Sequence, residues 1–361
     1  MADFNKFNNP KYLLSMLDAD GEKPEIFIDC QNRGSGKTYG YSYGLLEQAL
    51  GNDMGWGLPL GKFMIICRWK HEVPNIARGM FADVVRNEYE DAVIKTVTKA
   101  GGLYSDIVFQ QGDNDPVDVG YVVPVNKSDD LKKFSAMFSD TAVMIMDEFQ
   151  CASMTSYCPD EMGKFYRLHV SVARGNGKSS RYVPVILLSN SISIMNPYFT
   201  SLGIHKRICS DTKKLRGTGY VMQRLVNPNA AKEQKESRFN MAFGEMAEAS
   251  SSIDNTWLND SESCIEKPKK DWGRSVYYYT LIKGENRYGV RFYPGMDLWT
   301  ISNSVDASCQ FIYNLTLSDG NLNYPLLKSS TQMKYLRDAF LGGQMRFPNQ
   351  ECKEIALDIL I

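Results

Sequence analysis

The chain has 361 residues, a formal net charge of -1, 43% hydrophobic and 23% charged residues. That length suits two ordinary domains, because single cores stop growing near ~250 residues, and no run approaches the ~20 apolar residues of a membrane span. The near-zero charge excludes nucleic-acid binding by the field of the whole molecule and leaves only local basic surfaces for it.

The opening "MADFNKFNNPKYLL" lacks a basic segment followed by an apolar run, so no secretory signal is expected and the chain is placed in the cytoplasm. "EIFIDC" (25–30) is a short apolar strand, "RGSGKT" (33–38) a glycine loop, and "TYGYSYGLLEQAL" after it a helix despite its glycines. Further buried strands are predicted in "KFMIICR" (62–68), "GYVVPV" (120–125), "AVMIMDE" (142–148) and "VPVILLSN" (183–190). Helical patterns run between some of them, including "EVPNIARGMFADVVRNEY" (72–89) and "DEMGKFYRLHVSVA" (160–173). A hairpin is expected over 92–110, turning at Gly101-Gly102. The alternation predicts an α/β fold with a mostly parallel sheet covered by helices.

From about 226 to 262 the sequence turns polar and rich in Ser, Asn and Glu, which reads as a linker between domains at 1–225 and 263–361. The second domain carries strand-like runs at 275–283, 288–293, 298–303 and 310–316, then a helical tail from about 331, a small α+β arrangement. Eight cysteines are scattered singly, with no C-x-x-C pair and three histidines, so buried reduced thiols are expected rather than a metal site.

A near copy of the first glycine loop, "RGNGKS", occupies 174–179. Backbone amides and a following helix must both face a phosphate, which requires strand before and helix after. The first loop satisfies this, although Gln31 stands where the first glycine of the usual G-x-x-x-x-G-K-[ST] belongs. The second follows a helix and meets a strand, so it is not a phosphate site. "AVMIMDEF" supplies the partner of the first loop, an apolar strand ending in Asp147 and Glu148. A nucleotide is therefore expected at Gly34, Ser35, Gly36, Lys37 and Thr38. Lys37 would neutralise phosphate oxygens, Thr38 and Asp147 would hold Mg²⁺, and Glu148 would polarise the attacking water of ATP. Arg33 either reaches the γ-phosphate or pairs with a nearby carboxylate, and Asn190 either senses the γ-phosphate or forms a plain strand-end turn.

These motifs, with "LLSNSISIMNPYF" (187–199) and the tail "LRDAFLGGQMRFPNQECKEIALDIL" (336–360), resemble the DNA-packaging motor ATPases of phi29-type short-tailed phages, relatives of terminase large subunits. The resemblance spans nearly the whole chain. It implies a P-loop NTPase domain of the RecA-like (ASCE) kind followed by a small RNase H-like domain. It further implies a homo-oligomeric, pentameric ring in the host cytoplasm, docked on the portal of an empty procapsid and driving double-stranded DNA inward with ATP and Mg²⁺. A packaging RNA is a partner in some members, and no membrane is involved.

In this family an arginine just before the "LSN" strand acts in trans, assisted by a lysine after the second strand; the matching positions are Arg174 and Lys70. The second glycine loop would then mount Arg174, with Lys178 and Arg181 as alternatives or a DNA-touching loop as another reading. "SVYYYTLIK" (275–283) lacks carboxylates, and Asp297 and Asp306 are isolated, so the second domain reads as a nuclease-dead docking surface. Its basic stretch "EKPKKDWGRS" suits RNA, portal or DNA. Candidate DNA grips are "SDTKKLRGTG" (210–219) and Lys132-Lys133. A P-loop helicase or another DNA-processing ATPase, and a nuclease-competent terminase, are the competing readings.

Overall fold

Glycine placement and apolar runs decide the architecture from the first strand onward. The structure, a computed structural model, describes residues 9–151, 156–174, 179–208, 212–244, 246–258, 264–316 and 323–360. It forms two compact units, residues 1–198 with 212–259, and residues 199–211 with 260–361.

The first unit is built on a nine-stranded sheet ordered β3-β4-β5-β2-β6-β7-β1-β9-β8. In chain order these are β1 (Ile26–Gln31), β2 (Lys62–Cys67), β3 (Ala92–Lys99), β4 (Tyr104–Gln111), β5 (Val117–Pro124), β6 (Thr141–Met146), β7 (Val185–Ser189), β8 (Lys214–Gly217) and β9 (Tyr220–Leu225). The six central strands pair in parallel. The β3–β4 hairpin extends one edge and β8 the other, both antiparallel. Every residue of β6 and β7 is buried, as expected of parallel strands covered on both faces. The predicted hairpin is present, whereas β8 and β9 were not anticipated.

The helices of this unit are α1 (Lys11–Leu14), α2 (Lys37–Ala49), α3 (Ile76–Glu88), α4 (Ser128–Leu131), α5 (Glu161–Val172), α6 (Pro197–Ser201), whose last residues pass into the second unit, α7 (Pro228–Glu236), α8 (Arg238–Ala242) and α9 (Ala247–Asp254). Gly44 of α2 leaves room for the indole of Trp56, which lies where a side chain would be; a Cβ there would sit 1.9 Å from the ring. Trp56, Tyr41, Phe63, Phe81 and Ile65 belong to one buried cluster beneath α2 and α3.

The expected linker differs from what the chain does. Residues 228–254 fold as α7, α8 and α9 and belong to the first unit. Their polar composition is that of a thin cover held by hydrogen bonds rather than by a core of its own. Asn227 caps α7 by accepting from the amides of Asn229 and Ala230, and Pro228 follows at the first helical position.

The second unit carries a five-stranded sheet ordered β13-β10-β11-β12-β14, made of β10 (Val276–Lys283), β11 (Asn286–Tyr293), β12 (Leu298–Ser302), β13 (Ile312–Asn314) and β14 (Met345–Arg346). Helices α10 (Gln332–Leu341) and α11 (Gln350–Leu360) complete it, and Leu281, Val290, Ile301, Leu336 and Ile355 share its core. The tail is therefore not one helical run. Gly342 and Gly343 end α10, Gly343 with φ +70°, and the chain adds a strand to β12 before α11 begins.

Candidate functional site

The first glycine loop leaves β1 at Gln31 and enters α2 at Lys37. Gly34 and Gly36 have φ of +72° and +80°, a conformation that any side chain would strain, and this turns the amides towards the helix axis. Gln31, in the position of the missing glycine, points its amide inward and donates to both oxygens of buried Asp29 at 2.8 and 3.0 Å. Tyr41 donates to the same carboxylate, and burial raises the Asp29 carboxyl above the ordinary aspartate range.

Around the loop lies a pocket of about 300 Å³ lined by residues 33–39, Asp83, Asp147, Glu148, Ser189 and Asn190. Lys37 Nζ donates to Asn190 Oδ1 at 2.9 Å and to the Gln31 carbonyl at 3.2 Å. Desolvation pulls its ammonium below the ordinary lysine range, opposed by Asp29 and Asp147. Thr38 Oγ1 donates to Asp147 Oδ2 at 2.7 Å, and the other Asp147 oxygen accepts the Glu148 amide at 2.9 Å. Burial raises the Asp147 carboxyl despite the Thr38 hydrogen bond. Glu148 is exposed at the mouth with φ +52°, unusual for a residue with a side chain.

A second cavity of about 730 Å³ shares Arg33, Thr38, Asp147, Glu148, Ser189 and Asn190 with the first and continues to Arg68, Glu72, Gln150 and Cys151. One face of α3 lines it through Ile76, Gly79 and Met80. The two cavities form one cleft at the carboxyl ends of parallel strands, where open sheets receive ligands.

The structure brings Arg33, Gly34, Ser35, Gly36, Lys37, Thr38, Asp147, Glu148 and Asn190 together. Lys70 and Arg174 are not among the residues lining that pocket. Lys70 donates to the Gly101 carbonyl of the β3–β4 turn at 3.0 Å, and Arg174 is exposed two residues beyond α5. Residues 175–178 of the second glycine loop, Lys178 included, lie outside the described residues. Arg181 is committed within its own subunit, donating to the Val172 and Thr141 carbonyls at 2.9 and 3.3 Å. Lys132 pairs with Asp129, and 214–217 of "SDTKKLRGTG" form strand β8.

Three parts of the cleft escaped sequence reasoning. The α7–α9 cover grips the loop: Gln234 Nε2 donates to the Arg33 carbonyl at 2.6 Å, and the Arg33 amide donates to the Ser252 carbonyl at 2.9 Å. Asn255, buried with φ +54°, accepts from the Ser191 amide and donates to the Cys30 and Leu225 carbonyls, tying the cover to three strand ends. The α3 face is the third. Asn-Pro at 227–228, a helix start signal, was the legible clue to the cover.

The model of the podovirus DNA encapsidation protein (Gp16) family matches residues 3–361. The chain belongs to that family. It is 26% identical over 334 residues to the DNA packaging protein of Bacillus phage phi29, an alignment covering 91% of this chain and 90% of the relative. It is 27% identical over 250 residues to the DNA packaging protein of Bacillus phage B103, covering 66% and 73%. The fold matches a chain of the bacteriophage phi29 viral genome packaging motor assembly with a TM-score of 0.63 at 23% identity, over 98% of both chains. This family member is thus a DNA-packaging motor ATPase of the phi29-like type, an activity that implies ATP binding. Among the described residues no helix is long and apolar enough to cross a membrane.

Proposed function

We propose that this chain works as a homopentameric ring at the portal of a procapsid, hydrolysing ATP with Mg²⁺ to move double-stranded DNA inward. The observation that carries the site assignment is the Thr38–Asp147 hydrogen bond. It aligns two hard oxygen donors beside the phosphate loop, the donor chemistry Mg²⁺ prefers. When bound, the ion would neutralise phosphate charge and orient the phosphoryl group.

The protein's own residues do the rest. The loop amides and Lys37 hold the phosphates, and Lys37 exchanges the Gln31 carbonyl and Asn190 for phosphate oxygens. Asn190, released from Lys37, is free to report the γ-phosphate. Glu148 faces the cleft mouth and takes the proton of the attacking water. Arg33 approaches the γ-phosphate from the loop. Arg174, two residues beyond α5, acts on a neighbouring subunit's nucleotide, assisted by Lys70, in the short turn after β2. The second unit serves as a nuclease-dead, RNase H-like docking domain; Asp297 and Asp306 occupy separate turns, and β10 carries no carboxylate.

The test is packaging itself. Wild-type protein should protect duplex DNA from nuclease only when procapsids with portals and ATP are supplied, and Glu148→Gln should bind ATP yet package nothing. Unwinding of a forked duplex without procapsids would instead establish a helicase.

A further inference from the structure

Beyond the motifs of the nucleotide site, one buried ion pair lies at the far end of the cleft. Arg68 follows β2 directly, and β2 lies beside β6, the strand that leads into Asp147 and Glu148. Its Nε donates to Glu161 Oε1 and Oε2 at 3.0 and 2.9 Å, and its Nη2 donates to the Phe149 carbonyl at 2.8 Å. The Arg68 and Glu161 side chains are 9% and 1% exposed. Glu161 also accepts from Tyr198 Oη and from the Cys158 amide, both at 2.8 Å, and the Tyr157 ring lies 5.0 Å from the guanidinium.

Phe149 is thereby held at both ends of its own residue. Its amide donates to the Leu188 carbonyl of β7 at 3.1 Å, and its carbonyl accepts from Arg68. Directly before it stands Glu148 in the left-handed conformation, which strains a side-chain-bearing residue and persists only where surroundings enforce it. One anchor comes from the neighbouring strand β7. The other is the guanidinium.

We propose that Arg68 is a positioning residue for ATP hydrolysis, clamping the Phe149 carbonyl so that Glu148 keeps the conformation that aims its carboxylate into the cleft. Glu161 holds the guanidinium flat for that task. A fork of donors suits it, because one face serves the carboxylate while another arm serves the carbonyl. Since Glu161 opens α5 and Arg174 lies just past the end of that helix, the same pair ties the Glu148 loop to the element bearing the exposed arginine.

This inference rests on the proposed role of Glu148, and the experiment separates the two. Arg68→Lys keeps the charge beside Glu161 but a single ammonium cannot replace both arms. Full-length Arg68→Lys protein should bind a non-hydrolysable ATP analogue within about twofold of wild type, melt at a similar temperature, and lose about tenfold or more in kcat with KM little changed. Glu161→Gln retains an acceptor for Arg68 and should lose less kcat than Arg68→Lys. A wild-type kcat in Arg68→Lys, a parallel fall of kcat and nucleotide affinity in it, or a larger kcat loss in Glu161→Gln than in Arg68→Lys, would each overturn the clamp. If Glu148→Gln hydrolyses ATP normally, the role of Glu148 itself is wrong. If Glu148→Gln is inactive while Arg68→Lys is not, only the clamp fails.

Discussion

Thr38 Oγ1 and Asp147 Oδ2 lie 2.7 Å apart although 109 residues separate them in the chain. Helix α2 presents the one and strand β6 delivers the other, so the pair registers whether the loop and the strand end are mutually aligned. If Mg²⁺ binds here as proposed, Thr38→Ala should remove one oxygen from its site and free Asp147 to turn. The concentration of Mg²⁺ giving half-maximal ATPase should rise by roughly 10- to 100-fold. Thr38→Ser, which keeps the hydroxyl, should remain near wild type. A magnesium titration that is the same for Thr38→Ala and wild type would separate this hydroxyl from metal binding.

Gly44 offers a test of packing with no reference to chemistry. It lies in α2, and a Cβ would meet three atoms of the Trp56 ring at 1.9 to 2.7 Å. Trp56 is 3% exposed and cannot simply move out to water. Gly44→Ala therefore gains helix propensity but overpacks the site, a net loss of about 1–3 kcal/mol. The melting temperature should drop by several degrees; an increase would mean that the indole has room to shift.

What the sequence revealed follows from which signals are local. The strand and helix flanking "RGSGKT", the run ending at Asp147, and the hairpin at Gly101-Gly102 are each written in contiguous residues, and each appears close to its expected span. The α7–α9 cover was read as a linker because its helices bury little apolar surface and depend on capping and on hydrogen bonds to the phosphate loop. Such contacts join residues some 200 positions apart, as Gln234 and Arg33 do, and no periodicity encodes them. The Arg68–Glu161 pair escaped for the same reason, being 93 positions apart. Strands β8 and β9 flank a two-residue turn at Thr218-Gly219 whose signal was masked by the basic run around it.

Asp29 makes stability depend on pH in a direction opposite to that of a salt-bridged carboxylate. Burial raises its carboxyl above the unfolded value of about 3.9, opposed by hydrogen bonds from Gln31, Gln223 and Tyr41. The neutral acid is favoured in the folded state, so its contribution is complete below the unfolded value and is lost as pH rises through the folded one. Asp29→Asn cannot titrate. The stability of this variant relative to wild type should therefore improve between about pH 4.5 and pH 7.5, measured by urea unfolding at both. An unchanged difference would show that Asp29 does not titrate in that window.

Arg174 is exposed, absent from the lining of its own subunit's pocket, and follows α5 by two residues. Arg181 is already bonded to two carbonyls of its own subunit, which leaves the exposed Arg174 as the described arginine of that loop to test for a role in a neighbour's site. A guanidinium supplied across an interface is worth about 10³- to 10⁵-fold in phosphoryl transfer. If Arg174 acts across a ring interface as proposed, mixing Arg174→Ala subunits with wild type should cut ATPase faster than in proportion to the fraction added, since each variant subunit would silence the intact site beside it. Adding Lys37→Ala subunits, which retain Arg174 but lose their own site, should cut activity closer to proportion in the same assay. If both series fall on the same straight line, Arg174 acts within its own subunit, and if the Arg174→Ala series does not fall, Arg174 takes no part.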